Sequence, residues 1–249
     1  MIRIHNIWKA YEGVQVLKGL TLDIPQSKVT IILGRSGVGK SVLLRHILGL
    51  EMPDSGEIEI NGISITSCPE PQRHAALNSV GMLFQSSALF DSLTVGENIA
   101  FPLIHHQKRL HCSLTQIGEA VQDALEKVGL SGYRDKFPSE LSGGQKRRAA
   151  IARLIAYHPK ILLFDEPTTG LDPVTAHQIA SLITETQQHL NATTVIVTHD
   201  IVTALSIGHF FALHTDGNIP LSGDKKAFFA SGHPLIEEFV APFETRHPV

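Results

Sequence analysis

The 249-residue sequence has only two cysteines, Cys68 and Cys112, and neither has a partner at CxxC spacing. That excludes a disulfide framework and a thiolate metal site, and predicts two free thiols in a reducing compartment. Long hydrophobic runs are missing too. None approaches the roughly 20 residues that a membrane span requires. The opening "MIRIHNIWKAYEG" lacks the apolar centre of a signal peptide. Both absences predict a chain kept in the cytosol, with any membrane-spanning part supplied by another protein. A basic excess is also absent: the net charge is −3, which argues against a broad nucleic-acid surface. The chain has no internal repeat and no low-complexity linker.

What remains is globular. Hydrophobic residues make up 43% and charged residues 18%, with a mean hydropathy of +0.07. The length suits one large α/β domain or a core with a subdomain. "KVTIIL" (28–33), "KILLF" (160–164) and "TTVIVT" (193–198) are continuous apolar runs of the kind buried on both faces of a parallel sheet. "EIEINGISI" (57–65) alternates instead, with Asn61-Gly62 as a turn signal, and predicts an antiparallel hairpin. From about residue 86 to 158 the periodicity is helical. "LTQIGEAVQDALEKVGL" sets Ile117, Val121, Leu125 and Val128 on one face, with Gly129 as a stop. "GGQKRRAAIARLIAYHP" reads as a second helix ending before Pro159, and "PLIEEFV" as a short terminal one.

"GRSGVGKS" (34–41) follows the strongest strand and opens an apolar helix, as GxxxxGK[ST] must if it is a phosphate loop. Its glycines let backbone N–H groups turn inward to cradle phosphate oxygens. The helix N-terminus adds partial positive charge. Lys40 would bridge the β- and γ-phosphates, and the Ser41 hydroxyl can ligate Mg²⁺. "ILLFDE" is a buried strand ending in two carboxylates. Asp165 suits a Mg²⁺ shell, and Glu166 can take a proton from an attacking water. Alone, such a pair is a solvated loop start; beside a phosphate loop it is a catalytic pair. "TVIVTHD" puts His199 at the same carboxyl edge of the sheet, where ligands bind in open α/β folds. "LSGGQ" (141–145) is a second glycine-rich turn opening a helix, either a plain capped start or another anion site. His105, His106 and His111 cluster in "HHQKRLHC", read as a solvated loop rather than a metal site. A guanine-reading Asn-Lys-x-Asp motif is absent.

Taken in order, "GRSGVGKS", Gln85, "LSGGQ", "ILLFDE", "GLD" (170–172) and His199 resemble the ATP-binding cassette (ABC) ATPases, over Ile2 to about Gly223. "LSGGQ" is the specific element, since other phosphate-loop families lack it. The resemblance implies a phosphate-loop (RecA-like) α/β core with a mostly parallel sheet, an antiparallel β subdomain and a helical insert. The core would take about 1–85 and 159–223, the helical part 86–158, and a C-terminal extension 224–249. It implies ATP and Mg²⁺ as ligands. Tyr11 would stack on adenine. Gly34, Arg35, Ser36, Gly37, Val38, Gly39, Lys40, Ser41 and Val42 would hold the phosphates. Mg²⁺ would fall to Ser41, Gln85 and Asp165, with Gln85 also touching the water. Glu166 would be the catalytic carboxylate and His199 the γ-phosphate sensor. Leu141, Ser142, Gly143, Gly144 and Gln145 would close on the nucleotide of a second copy, and Asp172 would couple the two sites.

Finer details are similar to the ATPase subunits of Mla-type (MCE-associated) phospholipid transporters of bacterial inner membranes. Val42 stands where many relatives carry Thr, Ala149-Ala150 follow the arginines, and Asp91 stands where importers of sugars and amino acids carry Pro. That likeness implies a homodimer on the cytoplasmic face of the inner membrane. Its partners would be a multispan permease, an MCE-domain lipid carrier and a small STAS-domain protein, with no nucleic acid. The alternatives are a small-solute importer and a soluble non-transport ABC ATPase. "ALFDSLTVGEN" (88–98) would lie where such ATPases receive a permease helix, with Asp91 selecting the partner. Arg35, in place of the usual Pro or Gly, is expected to be harmless on the loop's outer side.

Overall fold

The computed structural model describes residues 1–105 and 112–244, with side chains as far as residue 241. The strands and helices run β1 (Ile2–Tyr11), β2 (Val14–Ile24), β3 (Val29–Leu33), α1 (Lys40–Ile47), β4 (Ser55–Ile60), β5 (Ile63–Ser64), α2 (Glu70–Leu77) and β6 (Val80–Leu83). Next come α3 (Val95–His105), α4 (Leu114–Lys127), α5 (Gly143–Ile155), β7 (Ile161–Asp165), α6 (Pro173–Leu190) and β8 (Thr193–Thr198). The chain closes with α7 (Ile201–Ile207), β9 (Phe210–Thr215), β10 (Asn218–Asp224), α8 (Lys225–Phe229) and α9 (Pro234–Glu244). It divides into two compact units, 1–77 with 193–249, and 78–192.

The first unit holds two sheets. β1 and β2 form an antiparallel ribbon turned at Glu12-Gly13, both with positive φ, as a two-residue hairpin of matching twist requires. β4 pairs with the other side of β1, and β5 with β4, giving the order β2-β1-β4-β5. The hairpin expected at Asn61-Gly62 is present, with φ of 51° and 85° there. The second set is parallel: β3 lies between β8 and β9, and β10 returns antiparallel to β9. Every residue of β3 and β8 is buried, which is why these segments read as unbroken apolar runs.

The second unit pairs β6 in parallel with β7 and also holds α3, α4, α5 and α6. α4 carries a full capping box, Ser113 with Gln116, and buries Ile117, Val121 and Leu125 on the predicted face. Gly129, at φ 67°, follows it as expected. α6 starts at Asp172-Pro173 and stops at Asn191, which is left-handed.

Candidate functional site

The loop after β3 is built on crowding. A Cβ on Gly34 would stand 2.5 Å from the backbone oxygen of His214 on β9. Gly39 combines a φ of 103° with contact to Val16 Cγ1 and His214 Cε1, at 2.9 Å and 3.5 Å from the position its Cβ would take. Both demand glycine. Gly39 is the N-cap of α1, so the loop delivers the helix N-terminus. Lys40 is buried, and its ammonium donates to the carbonyls of Gly34 (2.9 Å) and Arg35 (3.0 Å), which aims its charge into the loop. Ser41 and Val42 are half-buried in the first turn; Arg35, Ser36 and Gly37 are exposed, with Val38 half-buried between loop and helix.

His214 had no signal in the sequence. Its ring is wholly buried, and neither nitrogen has a hydrogen-bond partner. Burial, and then the charge of Lys40, pull its pKa from 6.5 down to about 4, so the imidazole is neutral under the loop. Tyr11 ends β1, half-buried. Its hydroxyl donates to Glu51 Oε1 at 2.5 Å, and the Lys9 ammonium stands 5.5 Å above its ring centroid. Burial raises the Tyr11 pKa, and the Glu51 contact raises it further. His199 is exposed directly after β8, one residue before Asp200, the N-cap of α7.

In the second unit, Asp165 ends β7 and Glu166 follows it directly; both are buried. Glu166 has φ 48°, a left-handed conformation that costs a non-glycine residue about 1 kcal/mol. Its Oε2 accepts from Thr169 Oγ1 at 3.0 Å, so the strained residue has a fixed carboxylate. Two arginines of α5 shape the turn carrying Gln85. The buried Arg147 donates through Nη1 to the carbonyls of Phe84 (3.0 Å) and Gln85 (2.7 Å). Arg153 donates to those of Ser87 (3.0 Å) and Ala88 (2.6 Å), both at positive φ. Burial lowers the Arg147 pKa, against which the Asp165 charge works. The Gln85 side chain faces solvent.

The 141–145 turn is a capped helix start. Ser142 Oγ accepts from the Gln145 N–H (3.3 Å), and Gln145 Oε1 accepts from the Ser142 N–H (2.9 Å). Gln145 Nε2 also donates to the Tyr133 hydroxyl at 3.0 Å. Leu141 is buried, while Ser142 and Gly143 are exposed at the helix tip. A Cβ on Gly144 would meet Thr175 Cγ2 at 2.6 Å, so the second glycine lets α5 approach α6. Asp172 accepts from the N–H groups of Val174 and Thr175; hydrogen bonds from Thr175 lead in lowering its pKa. Among the described residues, no group of three or more His, Cys, Asp or Glu is placed to hold a metal. His105 stacks on Phe101, and His106 and His111 lie outside the described residues. The side-chain oxygens of Ser41, Gln85 and Asp165, taken singly, are hard donors of the kind Mg²⁺ prefers.

The sequence model of the family described as ABC transporter matches residues 17–169, more than half the chain. The chain belongs to the ABC transporter family. The cassette is 38% identical over 238 residues to the intermembrane phospholipid transport ATP-binding protein MlaF of Escherichia coli K12, covering 94% of this chain and 87% of that one. It is 40% identical to the methionine import ATP-binding protein MetN of Vibrio cholerae, over 95% of this chain and 68% of that one. With the probable ribonucleotide transport protein mkl of Mycobacterium leprae it shares 35%, over 96% and 68%. The cassette thus spans about two thirds of the MetN and mkl relatives. A dimeric ATP-binding cassette in a post-hydrolysis state, bound to ADP and Pi, superposes with a TM-score of 0.82 at 31% identity, covering 90% of this chain and 98% of that one. The cassette cbiO1 of Clostridium perfringens, part of the ABC transporter complex cbiONQ, gives a TM-score of 0.83 at 31% identity, covering 99% of this chain and 95% of that one. The fold expected from the sequence is borne out, and the cassette is an ATPase subunit of a transporter. No helix of the described residues is long and apolar enough to cross a membrane.

Proposed function

We propose that the cassette powers phospholipid movement between the membranes of a bacterial envelope, as a homodimer docked on a permease at the cytoplasmic face of the inner membrane. The observation that carries this reading is the 38% identity to MlaF across 87% of that protein's length. The charge of Asp91 in the docking loop agrees with it. A small-solute importer is the second reading, favoured by the identities of 40% and 41% to MetN proteins.

In this reading the phosphate loop from Gly34 to Val42 binds the triphosphate and Tyr11 lies against the adenine. Lys40 neutralises the charge of the β- and γ-oxygens. Mg²⁺ would be held by Ser41, Gln85 and Asp165, and supplies further charge neutralisation when bound. Glu166 orients the attacking water and receives its proton. His199 senses the γ-phosphate. Leu141 to Gln145 serve the nucleotide of the second copy and Asp172 couples the two sites, in a C₂-symmetric dimer with two shared sites. Phe90, Phe101 and Ile104 are 43%, 46% and 52% exposed, with the two rings 4.8 Å apart. They present apolar anchors for a permease helix. The MCE-domain and STAS-domain proteins complete the complex. The test is purification from native membranes with lipid analysis of the complex. The expected result is a permease and an MCE-domain protein carrying phospholipid. Recovery with a solute-binding importer instead would contradict the proposal.

A further inference from the structure

The phosphate loop is held from two sides. On the inner side Gly34 presses on the backbone of β9, with no room for a Cβ. On the outer side lies α9. Leu235 and Phe239 of that helix line a cavity of about 250 Å³ together with Gly34, Arg35, Val38 and His214. Contact there is loose, so dispersion does not fix the loop's outer arm. What spans the gap is an ion pair. Arg35 Nη2 lies 2.5 Å and 2.6 Å from the two carboxylate oxygens of Glu238. The backbone carbonyl of the same arginine accepts the Lys40 ammonium at 3.0 Å. A carboxylate of α9 therefore grips the side chain of the residue whose main chain holds the phosphate-binding lysine. Arg35, expected to be inert, is the link.

We propose that Glu238 is a positioning residue for nucleotide binding: by pinning Arg35 it keeps the outer arm of the loop, and with it Lys40, in the shape that receives phosphate. The proposal rests on the reading of residues 34–41 as the phosphate loop. Both partners are more than half exposed, at 64% and 59%, so the effect is modest and screened by salt. A folding defect would not follow ionic strength in that way.

The experiment measures ATP affinity by calorimetry, with KM and kcat, on the full chain at low and high salt. Glu238→Gln removes the charge at constant size, and Glu238→Lys reverses it. Affinity should weaken and KM rise about two- to fivefold in low salt, the size an exposed ion pair gives, with the difference shrinking in high salt. The value of kcat should stay within about twofold, because the contact is equal in ground and transition states. Glu238→Asp should keep most of the affinity, and the exchange Arg35→Glu with Glu238→Arg should restore at least part of it. Unchanged affinity in Glu238→Gln and Glu238→Lys overturns the proposal. So does an exchange variant no better than Arg35→Glu alone, which would place Arg35 directly on the nucleotide. Lys40→Ala separates the two levels: unchanged ATP affinity there overturns the phosphate-loop reading itself.

Discussion

A single buried imidazole shows how much one residue can set. The unfolded chain takes a proton on His214 near pH 6.5, and the folded chain only near 4. Folding therefore excludes that proton between those values. Stability is unaffected above pH 6.5, declines as pH falls towards 4, and the loss reaches roughly 3 kcal/mol. His214→Met removes the titration, so its urea midpoint should fall less than the wild-type midpoint between pH 7 and pH 5. Parallel curves would show that the ring is not kept neutral under the loop. Residues 34–41 and the Asp165-Glu166 pair could be singled out as candidates because the spacing that marks them is local. His214 could not, because "FFALHT" reads only as a strand, and Lys40, whose charge opposes its protonation, comes from a distant part of the chain. Likewise nothing local in "GRSGVGKS" announces Glu238.

Among the elements, α3 was the least visible. Pro102 sits inside it, and proline ordinarily argues against a helix interior. The loop before it was legible as apolar and aperiodic, but its clasp was not. Asn98, fully buried, accepts from the Phe90 N–H and donates through Nδ2 to the carbonyls of Phe90, Leu93 and Thr94. One side chain thus replaces the regular pairing that the loop lacks. Asn98→Ala strips the Phe90 N–H and the Leu93 carbonyl of their partner, while the Phe90 and Thr94 carbonyls keep backbone donors, and should cost about 2–4 kcal/mol, seen as a lower melting temperature. It should also open the 86–94 segment to limited proteolysis. A wild-type digestion pattern in that variant would mean that the loop is held by packing alone. By contrast, the buried strands announced themselves: β3, β7 and β8 have no exposed face, so their sequences cannot alternate.

At the scale of the molecule, the proposed phosphate loop (34–41) falls in one compact unit and the proposed catalytic pair Asp165-Glu166 in the other. The substrate is the part least legible, because the cassette moves it through another protein. Differential affinity of ATP for a closed dimer is what would drive that partner. The capped 141–145 turn, with its exposed glycine tip, is the surface such a dimer would close upon the nucleotide. The most direct test is turnover by Glu166→Gln, with ATP binding and sedimentation measured on the same sample. Hydrolysis should fall on the order of a hundredfold or more. ATP should still bind, and a dimer should accumulate in its presence. Near-normal hydrolysis by Glu166→Gln would contradict the assignment of the catalytic carboxylate.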